Sequence, residues 1–321
     1  MLTDSQPRVV QVTLTNRCQC ACRHCGVTKL KQNPKYEPTL QELDAIFTDL
    51  KKSGTKIIDL FGGEPTIRQD IFEIISLGRS HGFMVLIETN GFLLDEVFVR
   101  SLKSAGLNRI YISLDDYIAR NHDANRGRKG LFTRVVKAIE LCRQFSIPVD
   151  VSIVPPNEEY FYHGHMNRFC DFVLSRGADK VRILLPRFTG NMQLTDDSPF
   201  TDGNEQGLVR YIRPRYLERV YFHSPDTPDS DITRCSAKQF FCHITTTGDV
   251  LPCPYLPLKF GNIKQESISG IFARIQSSEV MKIGAMHCLA RDIGFVKKYL
   301  VHLKPDQPYL DVDEQGGILL P

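Results

Sequence analysis

The chain has 321 residues, of which 42% are hydrophobic and 24% charged, which is enough to bury the core of one large domain with or without a smaller appendage. Its net charge of +3 is too small to indicate a nucleic-acid-binding surface. The sequence contains no apolar run long enough to span a membrane, and its first residues lack the profile of a secretory signal. We therefore expect a cytoplasmic protein with no membrane partner.

A cysteine-rich loop follows the first strand-like segment, VVQVTL at residues 9–14. Cys18, Cys22 and Cys25 are spaced C-x3-C-x2-C, and three thiolates this close favour zinc or an iron–sulfur cluster. A structural zinc site needs four ligands, and no second CxxC-type pair follows nearby. An iron–sulfur cluster with three cysteine ligands would leave one iron open to another molecule. Cys20, between the three, is either an alternative ligand or a bystander thiol.

Helical and strand-like segments then alternate along the chain. A helix begins at the Thr39-x-x-Glu42 capping box and ends near Gly54, and the strand KIIDLFG follows. Further pairs continue to a helix at about residues 158–176 and a sixth strand, KVRILLP. Cys142 and Cys170 fall in helical patterns and are predicted to be core thiols. Strand–helix repeats of this length predict an α/β fold with a parallel sheet or partial barrel.

Short polar motifs follow three successive strands of this predicted sheet. They are Gly62, Gly63, Glu64 and Pro65 after the second strand, Thr89 and Asn90 after the third, and Ser113 and Asp115 near the end of the fourth. Because ligands bind at the carboxyl ends of parallel strands, we expect these residues at one site. Two glycines would let the backbone approach a ligand, and Glu64 would accept a hydrogen bond from an ammonium group.

Two other polar segments follow strands. The first, residues 115–132, contains His122 and Arg126, which either touch a substrate or belong to a loop that caps the barrel wall. The second contains Arg187, just beyond the sixth strand, which either binds a carboxylate or is solvated. Residues 191–231 are rich in Asp, Ser, Pro and Thr and predict a transition between two parts of the chain.

The first cysteine motif resembles that of the radical S-adenosylmethionine superfamily, although His24 stands where the family often has an aromatic residue. The resemblance implies a 4Fe–4S cluster whose open iron binds the amino and carboxylate groups of S-adenosylmethionine. It implies a partial (β/α)6 barrel in which the GGEP segment meets the amino group of S-adenosylmethionine. Asn90 and Ser113 would then face its ribose or methionine part, while Asp115 has a structural alternative as a helix cap or arginine partner.

The second cysteine group resembles the opening of a SPASM domain. Cys235 and Cys253 flank a glycine in the pattern C-x(9–15)-G-x4-C, with a hairpin predicted to turn at Gly248-Asp249. The dense cysteine run of a full SPASM domain is missing, which implies the shorter, α+β twitch form with one auxiliary 4Fe–4S cluster. The four thiolates for this cluster would be Cys235, Cys242, Cys253 and Cys288. A zinc ribbon that uses the same four sulfurs is the alternative.

These resemblances imply a barrel at residues 1–190, a connecting segment at 191–231 and a cluster-binding domain with a tail at 232–321. The implied activity is reductive cleavage of S-adenosylmethionine to a 5′-deoxyadenosyl radical that abstracts hydrogen from a small-molecule substrate. The auxiliary cluster would accept an electron or anchor the substrate, and ferredoxin or flavodoxin would be the electron donor. The alternatives are a ribosomal-peptide maturase, whose partner would be a precursor peptide, and a non-catalytic zinc or metal-binding scaffold.

Overall fold

A computed structural model describes residues 6–26, 36–192, 205–223, 236–283, 288–304 and 307–320. The strands are β1 (Val9–Thr15), β2 (Ile57–Gly62), β3 (Met84–Thr89), β4 (Arg109–Ser113), β5 (Val149–Ile153), β6 (Lys180–Ile183), β7 (Val220–Phe222), β8 (Phe241–Ile244), β9 (Asp249–Leu251), β10 (Leu258–Lys259), β11 (Gly261–Asn262) and β12 (Leu310–Asp311). The helices are α1 (Leu40–Lys52), α2 (Ile71–Ser80), α3 (Glu96–Ser104), α4 (Ala119–Arg126), α5 (Leu131–Gln144), α6 (Glu159–Tyr162), α7 (His165–Ser175), α8 (Glu205–Val209), α9 (Ser236–Gln239), α10 (Ile268–Ser277), α11 (Glu279–Ile283) and α12 (Ile293–Lys298).

One sheet of ten strands organises the molecule, in the order β11-β9-β8-β1-β2-β3-β4-β5-β6-β7. The six predicted strands are its centre, and all pair in parallel. Two further parallel strands extend it: β7 pairs with β6, and β8 pairs with β1. The alternating β/α architecture predicted from the sequence is therefore confirmed, and two features are added to it: strand β7 and the pairing of the predicted hairpin, through β8, with β1.

The added strands come from segments that were predicted to lie outside the barrel. Strand β7 belongs to the predicted connecting segment, whose composition had obscured it. Strands β8, β9 and β11 belong to the cysteine-rich part, yet they continue the barrel sheet. The hairpin between β8 and β9 is antiparallel, and Gly248 has the left-handed φ of +91° that its turn requires. Strands from all three predicted parts of the chain therefore belong to one sheet. The domain boundaries predicted at residues 190/191 and 231/232 stay predictions.

The two faces of the parallel sheet carry different chemistry. The outer face presents the apolar residues of each strand, such as Val10, Ile58 and Ile87, to the layer of helices. The inner face is polar. There Glu88 on β3 receives a hydrogen bond of 2.9 Å from Arg182 on β6, three strands away. Since neighbouring strands lie about 4.8 Å apart, such a contact requires the sheet to curl into a partial barrel.

Helix α1 illustrates how the sequence produces the outer layer. Thr39 and Glu42 form the predicted capping box at its N-terminus. Its apolar face buries Phe47, which is 0% exposed and makes an edge-to-face contact with Phe83 at a ring distance of 5.9 Å.

Replacing Phe47 by Ala is expected to lower the free energy of unfolding by about 3–5 kcal/mol, because a large ring leaves a cavity in the core. Val97→Ala is the control, since Val97 is 74% exposed and its truncation should cost less than about 0.5 kcal/mol. Urea denaturation of both variants measures the difference. Equal stabilities for the two would contradict the packing described for α1.

Two predicted elements differ in detail. The single helix predicted at about residues 158–176 is divided into α6 and α7 by Gly164, which adopts a left-handed φ of +72°. The polar stretch that begins at Asp115 contains the two-turn helix α4 where a loop was predicted. Within the described residues, no helix is long and apolar enough to cross a membrane.

Candidate active site

The first cysteine loop lies against the glycine turn that ends β2. The backbone amides of Gly63 and Glu64 donate to the carbonyl oxygens of Thr15 and Arg17 at 2.7 and 2.9 Å. A Cβ on Gly62 would lie 2.3 Å from the Thr15 oxygen, and one on Gly63 would lie 2.2 Å from the Arg17 oxygen. The sequence predicts that the two glycines let the backbone approach a ligand. In the structure, they allow the backbone of the cysteine loop to pack closely against the turn.

The opposite side of the loop is held by the end of α4. The amides of Ala21 and Arg23 donate to the carbonyl oxygens of Arg126 and Asn125, both at 3.0 Å. Gly127, at a left-handed φ of +61°, follows directly and packs on Ala21. The polar segment after β4 therefore supports the cysteine loop, which is closer to the predicted structural role than to a substrate contact.

A third support comes from the segment after β6. The side-chain amide of Asn191 donates to the Cys22 carbonyl oxygen at 2.7 Å, and its backbone amide donates to the Cys25 carbonyl oxygen at 3.0 Å. Three elements of the barrel thus position one loop at the carboxyl edge of the sheet.

Two polar side chains contact the thiols of this loop. Asn90 Nδ2 lies 3.8 Å from Cys18 Sγ, and Arg126 Nη1 lies 3.8 Å from Cys22 Sγ. A hydrogen bond from Cys20 and the charge of Arg126 lower the pKa of the Cys22 thiol to about 5, although burial opposes the shift. Hydrogen bonds with Cys18 and Cys22 raise the pKa of the Cys20 thiol, and burial adds to this shift. Cys22 is therefore suited to be a thiolate ligand, and Cys20 to remain a protonated bystander.

The donor set fits an iron–sulfur cluster. Cysteine thiolates are its usual ligands, and the Asn90 amide and the Arg126 guanidinium offer hydrogen bonds to anionic sulfur. Among the described residues, no three His, Cys, Asp or Glu side chains converge closely enough to hold a metal ion. A cluster does not require that convergence, because each cysteine ligand of a 4Fe–4S cluster binds a different iron atom.

Glu64 joins the ends of two strands. It is 1% exposed, and its carboxylate accepts bonds from the Thr66 amide and hydroxyl, from the Thr89 hydroxyl at 2.6 Å and from the Asn90 amide at 2.7 Å. Burial raises its pKa, although these four donors favour the charged form. Glu64 thus fixes the Thr89-Asn90 turn, and its predicted contact with an ammonium group stays a prediction.

Asp115, at the end of β4, is occupied by protein partners. It is 3% exposed and forms a bidentate ion pair with Arg126, with N–O distances of 2.6 and 2.9 Å. It also accepts from Asn125 Nδ2 at 2.8 Å. Burial alone would raise the pKa of Asp115, but the Arg126 charge holds it well below its usual range. The structural alternative for Asp115 is the one that this geometry supports, whereas Ser113 lies partly exposed on the inner face.

His122 is buried behind this ion pair, and its Nδ1 accepts from the Asp115 amide at 3.1 Å. Burial lowers its pKa from 6.5 to about 4.

Between pH 4 and pH 6.5, the His122 side chain of the unfolded protein binds a proton that the folded protein does not. The free energy of unfolding should therefore fall as the pH drops below about 6.5, by roughly 2 kcal/mol at about pH 5. Urea denaturation at pH 7 and pH 5 measures this, and His122→Gln should lose that part of the pH dependence. An unchanged pH dependence in the variant would contradict the assignment.

The inner face of the barrel carries a polar network that the sequence analysis missed. Gln11 Nε2 donates to Asp59 Oδ2 at 2.8 Å, and Arg182 stands over the Tyr111 ring at 4.2 Å beside Glu88. The sequence could have indicated these inward-facing residues, since each of them alternates with apolar residues within its strand. This network lies on the inner face of the barrel sheet.

The second cysteine group is brought together in part. Cys253 and Cys288 both lie beside Arg187, which is 8% exposed, donates to the His223 carbonyl oxygen at 2.9 Å and stacks on Tyr255 at 4.4 Å. Arg187 is therefore buried rather than solvated. The site of Cys235 lies outside the described residues.

Cys242 is placed differently. It lies on β8, is 0% exposed and pairs in register with Val10 of the apolar outer face. Burial raises the pKa of its thiol. This is the placement of a core thiol, and the predicted ligand role of Cys242 stays a prediction that the structure does not support. The buried thiols of Cys142 and Cys170 lie in the core as predicted.

Comparisons with known proteins agree with this geometry. Residues 12–166 match the model of the radical SAM superfamily, and residues 235–289 match that of the SPASM iron–sulfur cluster-binding domain. The first match implies a 4Fe–4S cluster and S-adenosylmethionine, and the second implies auxiliary iron–sulfur binding.

Several characterised proteins are similar over most of the chain. An AdoMet-dependent heme synthase of Methanosarcina barkeri is 26% identical over 308 residues, with 86% of each chain covered. A PqqA peptide cyclase of Gluconobacter oxydans is 28% identical over 292 residues, covering 85% of this chain and 78% of the relative. The crystal structure of Streptococcus suis SuiB bound to S-adenosylmethionine superposes with a TM-score of 0.68 at 16% identity, covering 86% of this chain and 69% of SuiB.

Proposed function

Because the chain belongs to the radical SAM superfamily and carries a SPASM-type iron–sulfur domain, we propose that it abstracts a hydrogen atom from a small-molecule substrate after reductive cleavage of S-adenosylmethionine. One observation carries the proposal: the three-cysteine loop lies at the carboxyl edge of the barrel, against the strand-end motifs of β2, β3 and β4. When bound, the cluster and S-adenosylmethionine supply a 5′-deoxyadenosyl radical.

The protein's own residues bind and orient these groups. Cys18, Cys22 and Cys25 are the proposed cluster ligands. Gly62 to Pro65, Thr89, Asn90 and Ser113 form the proposed S-adenosylmethionine site, where Glu64 keeps the β2 and β3 turns in register. Precise placement of this kind supplies much of the rate, since it converts an encounter between molecules into a reaction within one complex.

The substrate would lie between the two cysteine sites. Tyr255, two residues after Cys253, packs on Gly26, the residue after Cys25. We propose Arg182 and Tyr111, which contact each other on the inner face of the sheet, as polar contacts for the substrate. We propose Cys235, Cys253 and Cys288 as ligands of an auxiliary cluster that accepts an electron or anchors the substrate. A ferredoxin or flavodoxin would supply the first electron.

Similarity to heme synthases over most of both chains favours a small-molecule substrate. Similarity to PqqA peptide cyclases over a comparable length keeps a precursor peptide as the second candidate. The scaffold alternative, a zinc protein without catalysis, is disfavoured because both matched families bind iron–sulfur clusters.

Isotope transfer distinguishes the two substrate classes. The reconstituted, reduced enzyme would be incubated with S-adenosylmethionine and a fully deuterated cell extract that has been separated into peptide and small-molecule fractions. Hydrogen abstraction from substrate places deuterium in 5′-deoxyadenosine, whereas uncoupled cleavage does not. We expect the label with the small-molecule fraction. Label with the peptide fraction alone would contradict the proposal in favour of a peptide substrate.

A further inference from the structure

A buried ion pair stands directly behind one thiol of the first cysteine loop. Arg126 is 8% exposed, and its Nε and Nη2 atoms bind the two carboxylate oxygens of Asp115. Its remaining terminal nitrogen, Nη1, lies 3.8 Å from Cys22 Sγ. The bidentate pair fixes the plane of the guanidinium, and this plane aims one N–H group at the sulfur.

The side chain of Arg126 is not needed to hold the loop backbone. The Ala21 amide bonds to the Arg126 carbonyl oxygen, and the Arg23 amide bonds to the Asn125 carbonyl oxygen. These bonds would persist if the guanidinium were replaced. The guanidinium therefore contributes charge and a hydrogen-bond donor at Cys22, separately from the backbone support.

The position of the charge determines its effect. The cation lies nearer to Cys22 than the carboxylate does, because Asp115 is bound to the far side of the guanidinium. Hydrogen bonds and positive charge at a ligand sulfur stabilise the reduced, more negative state of an iron–sulfur cluster. In a buried site, solvent screens such an interaction little.

We propose that Arg126 is a positioning residue that orients the Cys22 thiolate and raises the reduction potential of the cluster held by Cys18, Cys22 and Cys25. Asp115 serves this role by holding the guanidinium in place. The inference rests on the proposed function, since it takes Cys22 as a cluster ligand. It adds a role for the ion pair of α4 in controlling how readily the first electron enters.

The test is a potentiometric titration followed by electron paramagnetic resonance on the full, reconstituted chain. The first cluster is identified as the signal that changes when S-adenosylmethionine is added. The main variant is Asp115→Asn/Arg126→Met, which removes both charges and leaves no buried carboxylate unpaired. Arg126→Lys keeps the positive charge. The control is Glu96→Gln/Arg100→Met, which removes an exposed ion pair of helix α3 with an N–O distance of 2.8 Å.

We expect the Asp115→Asn/Arg126→Met variant to show a more negative midpoint potential for this signal, or loss of this cluster's iron alone. Arg126→Lys should lie nearer to wild type, and the Glu96→Gln/Arg100→Met control should match wild type. Unchanged iron and potential in the main variant would overturn the inference, as would a shift of equal size in Arg126→Lys or in the control. If wild type itself gave no signal that responds to S-adenosylmethionine, the proposed function would fail, and the inference with it.

Discussion

Replacing Cys18, Cys22 and Cys25 together by Ala is expected to lower the iron content of the reconstituted protein from about eight to about four atoms per chain and to abolish 5′-deoxyadenosine formation. The three thiols are the proposed ligands of the cluster that delivers the electron to S-adenosylmethionine. The remaining iron would belong to the second cysteine group. Iron and sulfide analysis, together with chromatography of the nucleoside product, measures both effects.

Other cysteines of the chain provide the control for this variant. Cys142 and Cys170 are both 0% exposed in the helical layer, far along the chain from either cysteine group. Replacing these two by Ala should cost stability but leave iron at about eight atoms. If the loop variant retained all its iron, or the core variant lost as much, the assignment of the first site would be wrong.

Replacing Gly63 by Ala is expected to reduce 5′-deoxyadenosine formation by about a hundredfold, since displacement of a reacting group by about 1 Å is enough for such a loss. The added Cβ would lie 2.2 Å from the Arg17 carbonyl oxygen and 2.7 Å from that of Asn16. Both are backbone atoms, so the loop that begins at Cys18 must move. The rate of product formation under reducing, anaerobic conditions measures the effect.

The matched control is Gly270→Ala. Gly270 lies in helix α10, and the nearest atom to its added Cβ would be the Ser267 hydroxyl at an ordinary 3.6 Å. This change should leave the rate unaltered and stabilise the helix by up to about 1 kcal/mol. A full rate in Gly63→Ala would mean that the close packing of the turn and the cysteine loop does not matter for activity.

The sequence predicted the central architecture because its periodic signals are local. The capping box at Thr39 and the alternation of strands with amphipathic helices both depend on residues close in the chain. Strand β7 and the parallel pairing of β8 with β1 were missed, because both depend on contacts with strands distant in the chain rather than on a local pattern. Tertiary pairing of this kind leaves little trace in a single sequence.

The sequence predicted which residues belong to the candidate site, but not the hydrogen bonds and ion pairs between them. The motifs identified which strand ends would meet. They did not reveal that Glu64 binds the Thr89-Asn90 turn, or that Arg126 pairs with Asp115 behind Cys22. Such contacts depend on side-chain directions across non-adjacent segments. The count of four thiolates likewise could not show that Cys242 points into the apolar core.

The proposed activity is tested most directly by the formation of 5′-deoxyadenosine and methionine from S-adenosylmethionine by the anaerobically reconstituted, chemically reduced wild-type protein. We expect both products in equal amounts, at a rate far above that of the Cys18/Cys22/Cys25→Ala variant. Absence of 5′-deoxyadenosine from protein that contains its full iron and binds S-adenosylmethionine would contradict the proposed activity.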